Sequence, residues 1–328
     1  MQLFETPANP CPPGASLVTL RTSDGVELRA AMWRPEGARG TVALVHGRAE
    51  FIEKYYEVIG ELLERGFAVA TFEWRGQGQS QRLLRNAAKG HVRRLGDYHK
   101  DLAAFFSQML LPDCPPPYYA LAHSMGAAIL LERASFAALS GASLPFARMV
   151  GVSPMLDLRT FGSQQALRLL ALSLRLLGLS RAYVPGGGPK TLTQKPFANN
   201  LLTTDKKRFD RAAQTIAAAP GLGLGDPTIN WAHVAFALMH RLARPHAAER
   251  IKLPALLIAA GDDRLTNTPT VERFARRLKN GACLILPHAR HEVMMERPEI
   301  RAQFWAAFDA FIPGERLDVS EPENVAAR

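Results

Sequence analysis

Residues 118–130, Tyr118-Tyr119-Ala120-Leu121-Ala122-His123-Ser124-Met125-Gly126-Ala127-Ala128-Ile129-Leu130, change character at a single hydroxyl. Up to Ala122 the run is apolar and predicts a buried strand. From Met125 onward a run of small residues predicts a helix. Ser124 lies between them, with Ala122 two positions before it and Gly126 two positions after, a G-x-S-x-G pattern with Ala in the first place. A sharp strand-to-helix turn strains the serine backbone, so its neighbours two residues away must be small. The turn lifts the hydroxyl clear of the sheet, and the helix behind it presents free N–H groups and the positive end of its dipole. The backbone N–H of Met125 is then set to face an oxyanion formed on a carbonyl attacked by Ser124. The competing reading is an ordinary Ser-Met-Gly loop, because so short a pattern recurs by chance. The rest of the chain decides between them.

Strand and helix alternate on both sides of this turn. Thr41–Val45 and Phe67–Trp74 are short apolar runs that predict strands buried on both faces, with helical spacing over Phe51–Arg65 between them. Tyr98–Leu111 predicts a further helix, Pro112–Pro117 breaks it, and Ala147–Val152 predicts the strand after the turn. Upstream, Leu17–Leu20 and Val26–Trp33 flank Thr22-Ser23-Asp24-Gly25, a hairpin signal with Asp-Gly at its turn. Residues 1–16, rich in Pro and polar groups, are expected to wrap the surface. The rhythm stops at Ser153-Pro154. Residues 155–247 hold helical patterns, a Pro185-Gly186-Gly187-Gly188-Pro189 break and no strand signal. It resumes with strands at Pro254–Ala260 and Ala282–Leu286 and helices at Thr270–Lys279 and Pro298–Ile312, and the polar tail after Pro313 is expected to be loose. Repeated βαβ units build a mostly parallel sheet flanked by helices. The expected organisation is one α/β domain in two parts, 1–154 and 248–328, interrupted by a helical insertion at 155–247 that is far longer than a usual connection.

Composition narrows the function. Of 328 residues, 47% are hydrophobic and 21% charged, the balance of a globular protein and not of an extended disordered one. The net charge is +10, but the basic residues are scattered and form no block interleaved with aromatics. That argues against nucleic acid and leaves an anionic membrane surface as a peripheral contact. Cys11, Cys114 and Cys283 have neither paired nor metal-ligand spacing, which suits a reducing compartment and no structural zinc. The N-terminus lacks the basic and apolar regions of a secretory signal, and no uncharged apolar stretch approaches the ~20 residues a bilayer span requires. The expected location is the cytoplasm, at most peripheral at the inner face of the membrane. Nothing in the chain fixes an oligomeric state.

A serine hydroxyl needs an adjacent base, and the base needs an acid to orient it. On a parallel sheet of this type, the α/β-hydrolase arrangement, the order is Ser, then Asp or Glu, then His, each after its own strand. The strand Pro254–Ala260 ends in Gly261-Asp262-Asp263-Arg264, and Ala282–Leu286 ends in Pro287-His288-Ala289-Arg290-His291-Glu292. His291, deeper in its loop and against the apolar helix start, is favoured over His288 as base, and Asp263 over Asp262 as acid. Asp157 is a third candidate acid, with a helix N-cap as its alternative role. A second oxyanion donor is expected after Thr41–Val45, where His46-Gly47-Arg48 lets the backbone approach closely and aims the Arg48 N–H at the carbonyl. Only main chain is needed there, which leaves the Arg48 side chain free for substrate or solvent. His46 and His123 are expected to pack at strand ends and shape the site, and His91 to make a loop contact. Gly76-x-Gly78 lacks the third glycine and the acid of a dinucleotide motif.

With these residues in place, the chain resembles the monoacylglycerol lipase and lysophospholipase family of α/β-hydrolases. The resemblance is carried by His46-Gly47-Arg48-Ala49-Glu50, Trp74-Arg75-Gly76-Gln77-Gly78-Gln79-Ser80, His123-Ser124-Met125-Gly126, Gly261-Asp262-Asp263-Arg264 and His291-Glu292. Lys89-Gly90-His91-Val92 and Asp97-Tyr98 match the style of its bacterial lysophospholipase L2 branch. It covers roughly residues 17–312 and is weakest in the insertion. It implies Ser124 as nucleophile, Asp263 as orienting acid, His291 as base, and the N–H groups of Arg48 and Met125 as oxyanion hole. The chain departs from the family at Ala122 and Ala127, where Gly is usual, and at Glu73, where Asp is often found.

In that family the insertion is a cap over the site. Here Ala166–Leu179 is dense in leucine, with arginines at 168, 175 and 181. That is more apolar than a helix covering one side of a core requires. It reads either as a well-packed cap helix or as a wall for an acyl chain, with the arginines facing phosphate or an anionic membrane. The expected activity is hydrolysis of a carboxylic ester of a single-chain lipid, a lysophospholipid or monoacylglycerol, through an acyl-serine and without metal or organic cofactor. The alternatives are a small-ester esterase, thioesterase or iminopeptidase on the same scaffold, or a non-catalytic binding protein.

Overall fold

The computed structural model describes residues 1–159 and 163–312, so the tail after Pro313 lies outside the described residues. Eight strands form one sheet in the order β1-β2-β4-β3-β5-β6-β7-β8. The predicted hairpin is β1 (Ala15–Arg21) and β2 (Glu27–Trp33), antiparallel to each other, with Gly25 at φ 81° in the turn. β2 also pairs antiparallel with β4 (Ala68–Phe72). β3 (Thr41–Val45), β5 (Tyr118–His123), β6 (Arg148–Val152), β7 (Ala255–Ala260) and β8 (Gly281–Leu286) continue the sheet in parallel. The short non-alternating runs of β3, β4 and β7 are buried throughout, which is why they need no polar side, whereas the edge strand β8 is largely half-buried or exposed.

Alternate residues of these strands feed two apolar layers. Val42 and Leu44 of β3 and Leu121 of β5 pack with α1 (Tyr56–Glu64) on one face. Ala43, Val45, Ala120 and Ala122 face the other way, toward α2 (Leu95–Phe105) and α4 (Ser124–Ala137). The α2 helix loosens into a wider turn at Phe106–Leu110 and ends in the short α3 (Leu111–Asp113). The helical run therefore passes Pro112 and ends at Asp113, where Cys114 turns extended. The predicted helix over Phe51–Arg65 begins as a tighter turn at Ile52–Tyr55 before α1.

Between β6 and β7 the described residues form helices: α5 (Gln164–Leu174), α6 (Lys206–Ala218) and α7 (Ile229–Ala243). Gly178 at φ 84° breaks the turn that continues α5. The last layer is α8 (Thr268–Ala275), beside β7, and α9 (Pro298–Phe311), whose Phe304 and Phe308 join the α1 side of the core. Asp157 neither caps a helix nor joins the nucleophile. Ser163 caps α5 through the Ala166 N–H, while Asp157 accepts from Asn267 Nδ2 at 3.0 Å and Thr270 Oγ1 at 3.1 Å. It ties the loop after β6 to the start of α8.

A buried ion cluster braces the sheet next to the site. Arg29 on β2 donates to Glu53 through both Nη atoms at 2.7 Å and to Glu73 through Nε at 2.9 Å, all three side chains fully buried. This accounts for Glu73 in place of the family's Asp. The longer side chain reaches Arg29 and also accepts the N–H groups of Ile52 and Gln79. Its carboxylate occupies the space where a Cβ on residue 78 would fall, so only Gly78 fits.

Candidate active site

Ser124 sits between β5 and α4 at φ 47°, the left-handed conformation expected of a strained turn. The glycine two residues on has a visible cause. A Cβ on Gly126 would lie 2.5 Å from the His46 carbonyl oxygen and 2.7 Å from that of Val45, so α4 can begin against the end of β3 only if residue 126 lacks a side chain. Both alanines that replace the usual glycines are fully buried next to Gly151. Ala122 pairs with Gly151 of β6, and the Ala127 Cβ lies 3.7 Å from where a Gly151 side chain would start.

His291, in the loop after β8, reaches Ser124 Oγ through Nε2 at 2.9 Å and Asp263 Oδ2 through Nδ1 at 2.8 Å. Asp263, after β7, also accepts the N–H groups of Leu265 and Thr266 and the Thr266 hydroxyl at 2.7–2.8 Å. Burial would raise its pKa, but the charge and hydrogen bond of His291 and the Thr266 donors outweigh burial and hold it at about 2. A carboxylate fixed in that way draws the proton onto Nδ1 and leaves the Nε2 lone pair toward the serine. The two rivals are elsewhere. His288 is exposed at φ 62°, and exposed Asp262 pairs with Arg264 at 3.3 Å.

The loop after β3 closes on the serine. An added Cβ on Gly47 would lie 3.2 Å from Ser124 Cβ, which puts the Arg48 backbone beside the nucleophile. Among the described residues, neither the Arg48 nor the Met125 N–H donates to a protein acceptor. Ala49 follows at φ 60° with its N–H on Gln77 Oε1 at 2.6 Å.

Beneath the site lies a polar network that the motif reading did not find. Glu50 accepts from the Gly47 N–H, from Tyr55 Oη at 2.8 Å and from Lys54 Nζ at 2.9 Å, and lies 3.1 Å from His123 Nδ1. Lys54 also bridges to Glu292 at 2.5 Å. The His123 Nε2 is 3.2 Å from the carbonyl oxygen of His291. Burial opposes a charge on His123, but Glu50 outweighs it and raises the pKa above the ordinary 6.5. The only sequence signal was the i, i+4 spacing of Glu50 and Lys54, which reads equally as a surface pair. His46, as expected, packs at its strand end, accepting at its carbonyl from Trp74 Nε1 at 2.9 Å, and His91 contacts Thr228 Oγ1 at 2.9 Å.

Ser124, His291, His123 and Glu50 border a cavity of about 270 Å³ whose apolar wall includes Met155, Leu158, Leu192, Leu202, Trp231 and Leu265. The α5 leucines expected as an acyl-chain wall are not among the described lining residues. Leu169 and Leu170 are 56% and 48% exposed, and beyond them Leu176 and Leu177 are 80% and 75% exposed. α5 packs on α7, and α7 supplies Trp231 to the cavity, so α5 is one layer too far out. Among the described residues no helix is long and apolar enough to cross a membrane, and no group of three or more His, Cys, Asp or Glu could hold a metal ion.

Residues 36–298 match the family described as serine aminopeptidase, S33. The chain belongs to this family of α/β-hydrolases. It is 30% identical over 289 residues to lysophospholipase L2 of Escherichia coli K12, spanning 85% of this chain and 82% of that one. In fold it is similar to a soluble variant of monoglyceride lipase from Saccharomyces cerevisiae, with a TM-score of 0.71 at 18% identity over 90% of this chain and 95% of that one. The monoacylglycerol lipase of Paleococcus ferrophilus gives 0.66 at 22% identity over 88% and 100%. The α/β-hydrolase fold inferred from the strand order is thus the observed one.

Proposed function

We propose that the protein hydrolyses carboxylic esters of single-chain lipids, lysophospholipid or monoacylglycerol. The observation that carries this is His291 bridging Ser124 and Asp263 at 2.9 and 2.8 Å beside a largely apolar cavity. The Escherichia coli lysophospholipase at 30% identity supports the substrate class. Ser124 Oγ attacks the ester carbonyl as His291 Nε2 takes its proton. The tetrahedral oxyanion accepts the N–H groups of Arg48 and Met125, and the proton passes to the leaving alkoxide. Water, deprotonated by His291, then cleaves the acyl-Ser124 to release the fatty acid and restore the hydroxyl. Asp263 orients the imidazole and stabilises its protonated form.

Residues 155–247 act as a cap on a core built from 1–154 and 248–328, since Leu192, Leu202 and Trp231 from that segment line the cavity with Ser124. The exposed leucines at 169, 170, 176 and 177, with Arg175 and Arg181 also exposed, form a face suited to an anionic lipid surface. The protein then works in the cytoplasm in peripheral contact with the inner face of the membrane. Flotation with vesicles tests this: binding is expected with anionic lipid, weakening with salt, and equal binding to neutral vesicles removes the arginines from the account.

The activity test is a panel of short and long p-nitrophenyl esters, monoacylglycerol, lysophosphatidylcholine and an aminoacyl p-nitroanilide, run with wild type and Ser124→Ala. Cleavage of the long-chain lipids by wild type alone is expected. A preference for short esters keeps the chemistry and removes the lipid assignment. Cleavage of the anilide instead moves the reading to a peptidase.

A further inference from the structure

Arg48 enters the proposed mechanism only through its main chain, and its side chain is an anomaly. It borders the Ser124 cavity. Its Nη2 donates to the Gly225 carbonyl oxygen, and its guanidinium carbon lies 5.1 Å from the centre of the Trp231 ring. The loop opposite is cut back to receive it: a Cβ on Gly90 would lie 2.6 Å from Nη2. Yet Arg48 makes no ion pair among the described residues, and its Nε is buried with no hydrogen-bond partner. The other lysine or arginine at the cavity, Lys54, is neutralised by Glu50 and Glu292. Asp226, whose field reaches Arg48, is turned instead to the Gly188 N–H at 3.0 Å. Burial lowers the Arg48 pKa to about 10, which leaves it charged at neutral pH.

A half-buried cation whose Nε is shut off from water without a hydrogen-bond partner is costly, and an anion that arrives with a ligand would supply that partner. The planar fork of arginine, with donors still unused, matches a phosphate. The Arg48 side chain and Ser124 line the same cavity, so the alcohol part of an ester bound at Ser124 can reach the guanidinium. In a lysophospholipid that part carries a phosphodiester a few bonds from the scissile carbonyl. We infer that the Arg48 guanidinium is the phosphate-recognition group of this site, making lysophospholipid the preferred substrate over uncharged monoacylglycerol. This rests on the lipid-ester activity proposed above and adds the head group to it.

The test compares kcat/KM for lysophosphatidylcholine and monoacylglycerol of the same acyl chain in the full-length wild type, Arg48→Gln and Arg48→Lys. The ratio of the two constants is expected to fall about tenfold or more in Arg48→Gln, with Arg48→Lys between. A parallel fall for both lipids overturns the inference and assigns Arg48 to holding the cap against the core. A second arm needs no catalysis: calorimetric titration of sn-glycero-3-phosphocholine against glycerol. Binding of the phosphodiester, at least about tenfold tighter than glycerol in wild type and weakened in Arg48→Gln, is expected. Failure of the phosphodiester to bind better than glycerol overturns the inference even if a variant does not fold. If wild type cleaves no long-chain ester while the phosphodiester still binds through Arg48, the lipid-ester activity fails and the phosphate site stands.

Discussion

Two helices of this chain are rich in apolar residues and end in opposite places. In α4, Ile129, Leu130 and Leu131 are completely buried, enclosed between the sheet and the surrounding helices. In α5, Ala171 is buried while Leu169 and Leu170 are half exposed, and the turn that follows puts Leu176 and Leu177 almost wholly in solvent. Apolar composition is therefore not a measure of burial. α4 is buried because it begins at the centre of the sheet, where small residues let it come close. α5 belongs to the segment between β6 and β7 and, among the described residues, packs chiefly on α7. The difference separates residues that hold Ser124 in its turn from residues that meet solvent.

The sharpest break between the two helices should come at their functional ends. Ser124→Ala is expected to cut kcat by about 10⁴-fold or more with little change in Tm, since it removes the group that forms the acyl intermediate. Retention of more than a few per cent of the activity would falsify its role. Next in size is Leu130→Ala, which leaves a cavity in a fully packed layer and should cost about 2–5 kcal/mol in denaturant unfolding. Gly126→Ala should follow at about 1–3 kcal/mol, because its Cβ collides with the His46 and Val45 carbonyls. A drop in kcat should accompany it as the Met125 N–H is displaced. Unchanged stability and rate would mean that α4 can retreat from β3.

Two histidines sharpen the comparison electrostatically. His123, just before α4, titrates above 6.5 because Glu50 outweighs its burial. His233 on α7 titrates below 6.5 because burial, Arg175 just after α5 and Arg168 within it disfavour its charge. The signs of their linkage to stability are opposite. The His123 contribution is present below its unfolded pKa and fades as pH rises through the folded one. The His233 contribution is unfavourable in acid and is relieved as pH rises toward 6.5. Imidazole resonances followed by NMR should move in opposite directions from the unfolded value, and coincident midpoints would remove Glu50 and Arg175 as causes. The smallest effect is expected at Leu176→Ser, within about 0.5 kcal/mol in stability, but with weaker binding to anionic vesicles. A loss of stability like that of Leu130→Ala would show that the α5 face is packed against protein.

Much of this site was legible as pattern. Ser124, Asp263 and His291 each follow a separate strand of the parallel sheet in the required order, and strands that obey a periodicity of two with known handedness of crossover must bring their ends together. The choice of His291 over His288 agrees with the geometry for a local reason: one side chain points inward before an apolar turn and the other occupies an exposed left-handed position. The Glu50–Lys54–His123–Glu292 network was not legible, because its members come from three separate loops and elements and each alone resembles an ordinary charged or polar residue. The Arg48 side chain was left open for the same reason. Its lack of a counter-ion is a property of everything around it.

Local pattern alone determined the parallel sheet, the strained serine turn and the order in which Ser124, Asp263 and His291 follow their strands, because burial and backbone strain restrict which residues can stand at each position. Only the tertiary structure decided which charges are paired, which leucines meet solvent and why residues 78 and 126 must be glycine. Those depend on the approach of segments distant in the chain, and their periodicity is the same whichever way the neighbours lie.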